Sequence, residues 1–196
     1  MPDSPLQVPP LGPQLRRWRA LHRIKQSHAA ELFGVAQSTI SRWEAGLQQM
    51  SPDERATAER LLAARIDAAG DRALARLVAG SAGRMHLVCD LTHRLLACSP
   101  ARAAEFSKPL STLLGTSLWR YATAEIVRME TALDALGWHD HAGPPSVEFD
   151  TGVNASRIVP IRRSRCRWTR MTLSDGSAAR LVETLDDVHA GCEPRS

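Results

Sequence analysis

The 196-residue chain has no GxSxG, P-loop or HExxH run, and its Ser, Asp and His residues are scattered rather than grouped as nucleophile, base and orienting group. This argues against an enzyme. Its four cysteines, Cys89, Cys98, Cys166 and Cys192, show neither CxxC spacing nor a compact framework, which predicts reduced thiols rather than disulfides or zinc ligands. No apolar stretch approaches the roughly 20 residues needed to span a bilayer. The N-terminus lacks a basic region followed by an apolar run, so the expected setting is the cytoplasm. No internal repeat is present, and the compositional bias is confined to the start, where Pro2, Pro5, Pro9, Pro10 and Pro13 predict a disordered arm over residues 1–13.

Against these absences stand a 43% hydrophobic content, enough for a packed core, a net charge of +4 and a pI near 9.2. Net charge alone says little about a partner, but its placement says more. Residues 14–50 hold Arg16, Arg17, Arg19, Arg23, Lys25 and Arg42 against Glu31 and Glu44. Such a local positive excess is what phosphate binding through counterion release requires.

Residues 26–46, QSHAAELFGVAQSTISRWEAG, are the most informative stretch. They predict two short amphipathic helices hinged at Gly34. At about 100° per residue, Gln37, Ser38, Ser41 and Arg42 cluster on one side of the second helix, and Ile40 and Trp43 fall on the other. A base edge is read by hydrogen-bonding side chains on a rigid element narrow enough for the major groove, and this helix meets that need. Gly46 is placed to end it, since Gly tolerates the left-handed conformation common just past a helix.

Residues 15–62 resemble the Cro/phage-repressor helix-turn-helix, the Xre family, through Arg19, Gln26, Ala30, Gly34, Val35, Ile40, Ser41, Glu44 and Gly46 at fixed offsets. The resemblance implies a bundle of four or five helices. It also implies a DNA-backbone contact from Gln26, base contacts from Gln37, Ser38 and Arg42, and a partly buried ion pair between Arg19 and Glu44; Lys25 at the start of the first motif helix and Thr39 and Ser41 on the second complete the expected DNA-binding set. Where the family prefers Ser or Thr before each motif helix, this chain has Lys25 and Ala36, and each missing cap costs about 1 kcal/mol. Downstream, Ser51-Pro52-Asp53-Glu54 reads as a capping box that opens a helix running to about Arg65. Further helical signal at Ile66, Leu74, Leu77 and Val78, interrupted by Gly70, Gly80 and Gly83, predicts a linker over 66–83.

From Met85 the periodicity becomes strand-like, at 86–91, 94–99, 146–150, 157–161, 167–173 and 179–185, with helical stretches at 101–106 and 123–136 and a tight turn at Asp175-Gly176. Two strands, then helices, then strands imply an α+β domain. Residues 90–100 and the run Leu113-Leu114-Gly115 with Leu118-Trp119 make this half resemble a PAS domain, a sensory module with a five-stranded antiparallel sheet and helices on one face. No flavin-attachment cysteine motif accompanies it. Trp138-His139-Asp140-His141, with Gly143-Pro144-Pro145 following, reads as a solvated loop rather than a metal site. His86 and His93 read as structural or exposed. The run Arg157, Arg162, Arg163, Arg165, Arg167 and Arg170 is either an edge-protecting charged face or an anion site.

The expectation is a multidomain chain. An arm over 1–13 precedes an all-α helix-turn-helix domain over 14–65, a helical linker over 66–83, a PAS-like α+β domain over 84–186 and a tail over 187–196. The function that follows is a sequence-specific transcription regulator, binding double-stranded DNA as a homodimer on a palindromic operator. Its PAS-like domain would sense a signal, dimerise the chain or dock a small molecule or protein. No cofactor, metal or membrane is expected. Two alternatives stay open: an antitoxin or phage-type repressor whose second domain binds a partner protein, and a haem- or flavin-binding PAS sensor acting through protein contacts.

Overall fold

The structure, a computed structural model, describes residues 11–140 and 143–187. Five helices come first: α1 Leu11–Leu21, α2 Gln26–Phe33, α3 Gln37–Glu44, α4 Pro52–Leu62 and α5 Ala69–Ala79. The strands β1 Met85–Cys89 and β2 Leu95–Cys98 follow. Then come α6 Pro100–Ala103, α7 Leu110–Leu113, a 3-10 turn at Trp119–Tyr121 and α8 Ala124–Ala132. The chain closes its sheet with β3 Ser146–Thr151, β4 Ser164–Thr172 and β5 Ala178–Asp187.

Local chemistry explains most boundaries. Gly34 and Gly46 both take positive φ, 64° and 71°, to end the two motif helices. At α4, the Ser51 hydroxyl accepts from Glu54 N–H while the Glu54 carboxylate accepts from Ser51 N–H at 2.7 Å, the reciprocal capping box. Lys25 and Ala36 supply no side-chain cap. Packing holds those helices instead: Ile40 and Trp43 are buried, and Phe33 meets Trp43 edge to face with ring centroids 5.4 Å apart.

Several boundaries differ from expectation. The first helix begins at Leu11, so residues 11–13 are not part of an arm; the remainder of that arm, the tail from residue 188 and Cys192 lie outside the described residues. Pro13 fits the first turn because its missing N–H has no partner to lose there. Gly12 lies where α1 crosses α3 so closely that a Cβ would sit 1.8 Å from the Trp43 carbonyl oxygen. Helix α4 stops at Leu62 rather than near Arg65, where Ala63 turns extended and Ala64 N–H donates to Cys89 Sγ at 3.3 Å. Residues 157–161 form no strand. Asn154 takes their backbone groups instead, donating to Val159 O and accepting from Ile161 N–H, while Val159 drops into the core.

The five strands form one antiparallel sheet in the order β2-β1-β5-β4-β3, with α6, α7 and α8 inserted between β2 and β3. This is the PAS-like arrangement that the resemblance implies. Alternation divides the sheet's side chains between two faces. Val88, Val182 and Trp168 pack with Phe106, Leu113, Ile126 and Leu133 on one side. Leu87, Cys89, Leu181 and Ala179 join a cluster that continues through Val78 and Leu62 to Leu15, Ile40 and Trp43. The helical N-terminal region is therefore packed on the sheet face opposite α6–α8. Leu74 and Val78 of α5 are absorbed in that packing, and Leu77 is left exposed.

Candidate nucleic-acid interface

Helix α3 follows α2 across a turn closed by Gly34, and its two faces are sharply different. Ile40 and Trp43 point inward, whereas Gln37, Ser38, Ser41 and Arg42 are exposed and Thr39 is half-buried. Lys25, immediately before α2, is exposed; Gln26, the first residue of α2, is half-buried. Arg16 and Arg23 add exposed positive charge on α1 and the turn after it. The exposed face of α3 thus carries donors and acceptors in its first two turns, with cations nearby.

A clamp fixes this helix against α1. Arg19 Nε donates to Glu44 Oε1 at 2.6 Å and its Nη2 to Glu44 Oε2 at 2.8 Å, a bidentate pair, while Nη1 reaches Ile24 O at 2.8 Å. Gln26 Nε2 adds a third bond to Glu44 at 2.9 Å, so all three side chains meet at the end of α3. Burial opposes the charge on Glu44, but hydrogen bonds from Arg19 and Gln26 and the nearby Arg16 charge hold its carboxyl below the usual range. The hydrogen bond to Glu44 raises Arg19 correspondingly.

The polar centre of the molecule, between α8 and the sheet, was not visible in the chain's patterning. Arg180 of β5 is 1% exposed; its Nε donates to Asp90 at 2.7 Å and its Nη1 to Glu130 at 2.8 Å, with the guanidinium 4.1 Å from the Trp168 ring centroid. Asp90 also accepts from Trp138 Nε1 at 3.2 Å, and His139 Nδ1 lies 3.6 Å away. Residues 138–140 are accordingly not a solvated loop: Trp138 is fully buried, and Arg170 Nη1 binds the carbonyls of Trp138 and Asp140. His141 lies outside the described residues, among which no group of three or more His, Cys, Asp or Glu could hold a metal ion. The only hint in the sequence was an Arg at an inward position of a strand, and its partners are 50 and 90 residues away.

The arginine-rich segment divides into two kinds. Arg165 and Arg167 lie directly across from Asp150 and Glu148 of β3 and pair with them at 3.3 and 2.7 Å, while Arg157, Arg162 and Arg163 are exposed. On the helix-covered face of the sheet, two cavities of about 80 and 60 Å³ lie among Trp119, Ile126 and Trp168 and beside His86 and Cys166. Burial pushes the Cys166 thiol up to about 12, so it is an inert apolar side chain.

Residues 15–56 match a family model described as Helix-turn-helix. No curated protein matches the chain. Similar solved structures include the PAS domain from Bordetella pertussis BvgS, 14% identical, covering 60% of this chain and 83% of that one with a TM-score of 0.34. Another is an RNA-binding Light-Oxygen-Voltage receptor, 10% identical, covering 90% of this chain and 58% of that one with a TM-score of 0.41. The family match, the Arg19–Glu44 clamp and the exposed face of α3 fall on the same residues: residues 15–56 of this chain are a helix-turn-helix domain.

Proposed function

We propose that this protein is a sequence-specific DNA-binding transcription regulator that reads an inverted repeat as a homodimer, with its PAS-like domain receiving a signal or docking a partner. The observation that carries the reading is α3: Gln37, Ser38, Ser41 and Arg42 face solvent on a helix whose other side is anchored by Ile40, Trp43 and the Glu44 clamp. Gln and Arg hydrogen-bond base edges in the major groove, and rigid anchoring makes such contacts selective. A single reader covers one half-site, and two-fold symmetry places the half-site centres about 34 Å apart. Leu77, 74% exposed on α5, supports an association surface after residue 66.

In vitro selection of duplexes bound by the full chain tests the reading. The expected product is an inverted repeat whose enrichment disappears with Arg42→Ala. Unrelated sequences, with the variant binding as well as the parent, overturn it. An antitoxin or phage-type repressor would also return a site but would copurify with a partner on the sheet domain. A haem or flavin sensor would colour the pure protein; cavities of about 80 and 60 Å³ require the covering helices to move before a group of that size enters.

A further inference from the structure

The cavity of about 60 Å³ lies between α6, the loop of residues 160–162 and the helix-covered face of the sheet. His86 of β1, Val182 and Thr184 of β5 and Cys166 of β4 form its floor: His86 pairs with Val182 and Cys166 with Thr184, so the four share one face. The charged groups of its lining are Arg84, Arg102, Glu105 and Arg162. The space holds a few water molecules, the bulk of a short carboxylic acid.

The charge of this lining is unbalanced. Among the described residues Glu105 is its one carboxylate, and it pairs with Arg102 and, at 3.6 Å, with Arg84. With Arg84 left aside altogether, Glu105 still faces both Arg102 and Arg162, and Arg162 makes no ion pair among the described residues. Arg102 is 7% exposed and firmly held: its Nη1 binds Glu105 and donates to Pro160 O at 3.0 Å, and its guanidinium lies 5.0 Å from the Phe106 ring centroid. Its Nε and Nη2 make no hydrogen bond among the described residues, and neither is sealed from solvent. A fixed guanidinium with donors still open is matched in charge and geometry by a carboxylate.

His86 and Thr184 add donors to the floor. Neither side chain makes a hydrogen bond among the described residues, and the polar atoms of neither are sealed from solvent. Burial and then the Arg102 charge lower His86 to about 3, so its ring is neutral and donates from one nitrogen. The Thr151 and Ser164 hydroxyls, in contrast, are bonded to each other and to Arg162 O. The rest of the wall is apolar, and Ile126, Ile161 and Val182 also border the neighbouring cavity of about 80 Å³. An occupant that satisfies this lining has a negative head and an aliphatic body.

We infer that this cavity is a binding site for a short aliphatic carboxylate. The carboxylate accepts from Arg102 and Arg162, the His86 ring or the Thr184 hydroxyl donates to it, and the methylene chain lies along Ile126, Ile161 and Val182. An occupant touching α6, the loop of residues 160–162 and the sheet stabilises their packed arrangement by mass action. That this ligand acts as a signal rests on the receiving role proposed for the PAS-like domain.

The test titrates the full chain with acetate, propionate and butyrate, followed by ¹⁵N–¹H NMR, with butyramide, butylamine and inorganic phosphate as controls. Butyrate is expected to bind with a Kd of about 1 mM or tighter and to shift the Arg162 and Thr184 amide signals. Affinity is expected to rise about threefold per methylene from acetate to butyrate. Butyramide and butylamine are expected to bind at least about tenfold more weakly than butyrate, and phosphate no tighter than acetate. Arg102→Gln is expected to weaken butyrate at least about tenfold, whereas Glu105→Gln, which removes the competing carboxylate, tightens it. Arg162→Gln, at an exposed position, is expected to weaken it about threefold and serves if Arg102→Gln does not fold. No binding by butyrate means a cavity filled only with water and overturns the site. Equal binding by butyramide, a flat acetate-to-butyrate series, or unchanged binding by both arginine variants overturns it as well. None of these readouts depends on DNA, so the site and the regulator reading fail separately. Binding that meets these expectations but leaves duplex affinity unchanged supports the site and counts against the signal role.

Discussion

Arg17 of α1 reaches across to α8, where its Nη1 lies 3.3 Å from Glu130 and its Nε and Nη2 donate to Asp134 at 3.1 and 3.0 Å. Glu130 is the carboxylate that also binds Arg180 in the sheet core. One side chain of the helix-turn-helix domain is thus tied directly into the buried charge network of the PAS-like domain. Helix α1 also bears Arg19, which clamps α3. The position of α3 and the sheet core are therefore linked through a single helix.

Arg17→Met removes this tie while keeping most of the apolar stem. Asp134 is largely exposed, so its share is small, and the loss is expected at about 1–2 kcal/mol, mostly from the bond to Glu130. Hydrogen exchange across residues 11–21 is expected to accelerate before that of β5. Unchanged protection of α1 relative to the sheet counts against the coupling.

Arg180→Met strands two buried carboxylates, Asp90 and Glu130, and is expected to destabilise the chain by about 3–5 kcal/mol in denaturant titrations. Arg180→Lys is not expected to rescue it, because one ammonium cannot reproduce the separate bonds to Asp90 and Glu130. Near-parental stability of the lysine variant would show that charge alone, not fork geometry, is what the site needs.

The split between what the chain's patterning reveals and what it hides follows sequence distance. The capping box at Ser51 and Glu54, the glycines at 34 and 46, and the buried pair Ile40 and Trp43 are all local, and each was legible from spacing. The strands at 86 and 179 were legible from their apolar runs. Residues 157–161 misled because Ile158 and Val159 look strand-like, yet Pro160 removes a donor and Asn154 supplies the bonds a neighbouring strand would have made. Trp138 was misread because the adjacent glycine and prolines suggest exposure, whereas its partner Asp90 lies 48 residues away. The candidate reading face was visible because one helix carries it; the Arg180 network was not, because its members come from five elements or loops.

Two histidines set the acid side of the stability curve. Burial, aided by the Arg102 charge, lowers His86 to about 3. Burial also lowers His139, although Asp90 pulls the other way. Both are neutral in the fold and take up protons in the unfolded chain near pH 6.5, so their contribution is complete above about 6.5 and declines as pH falls below it. Glu130 behaves differently: burial opposes its charge, but Arg180 and His93 outweigh that and hold its carboxyl far below the usual range. Its contribution is intact above about pH 4.3 and is lost only below that. Urea midpoints are expected to fall steadily from pH 6.5 to 5, with a shallower fall in His86→Leu. A flat profile in the parent would contradict neutral, half-buried histidines.

Glu44→Ala leaves the Arg19 guanidinium with only Ile24 O as partner and removes the acceptor for Gln26. The Arg19 side chain is 15% exposed, so the stranded charge is poorly hydrated and the expected cost is about 3 kcal/mol or more. An unchanged melting temperature would mean that the clamp contributes nothing to holding α3.

Under the proposed function, base reading and backbone positioning are expected to separate by residue. Gln37 and Arg42 project from the exposed face of α3, so Gln37→Ala and Arg42→Ala are each expected to cost about 1–3 kcal/mol of DNA binding and to relax preference at particular base pairs. Lys25 is exposed ahead of α2, so Lys25→Ala is expected to weaken all duplexes alike and to reduce the salt slope by about one unit. Gln26 is already bonded to Glu44, and Gln26→Ala therefore combines a lost contact with a looser α3. It should weaken binding and lower the melting temperature together, whereas Lys25→Ala lowers only binding. Measuring affinities at two salt concentrations against a panel of single-base operator variants distinguishes these outcomes. A uniform loss for Arg42→Ala, or a base-specific loss for Lys25→Ala, would reverse the assignment of the two roles.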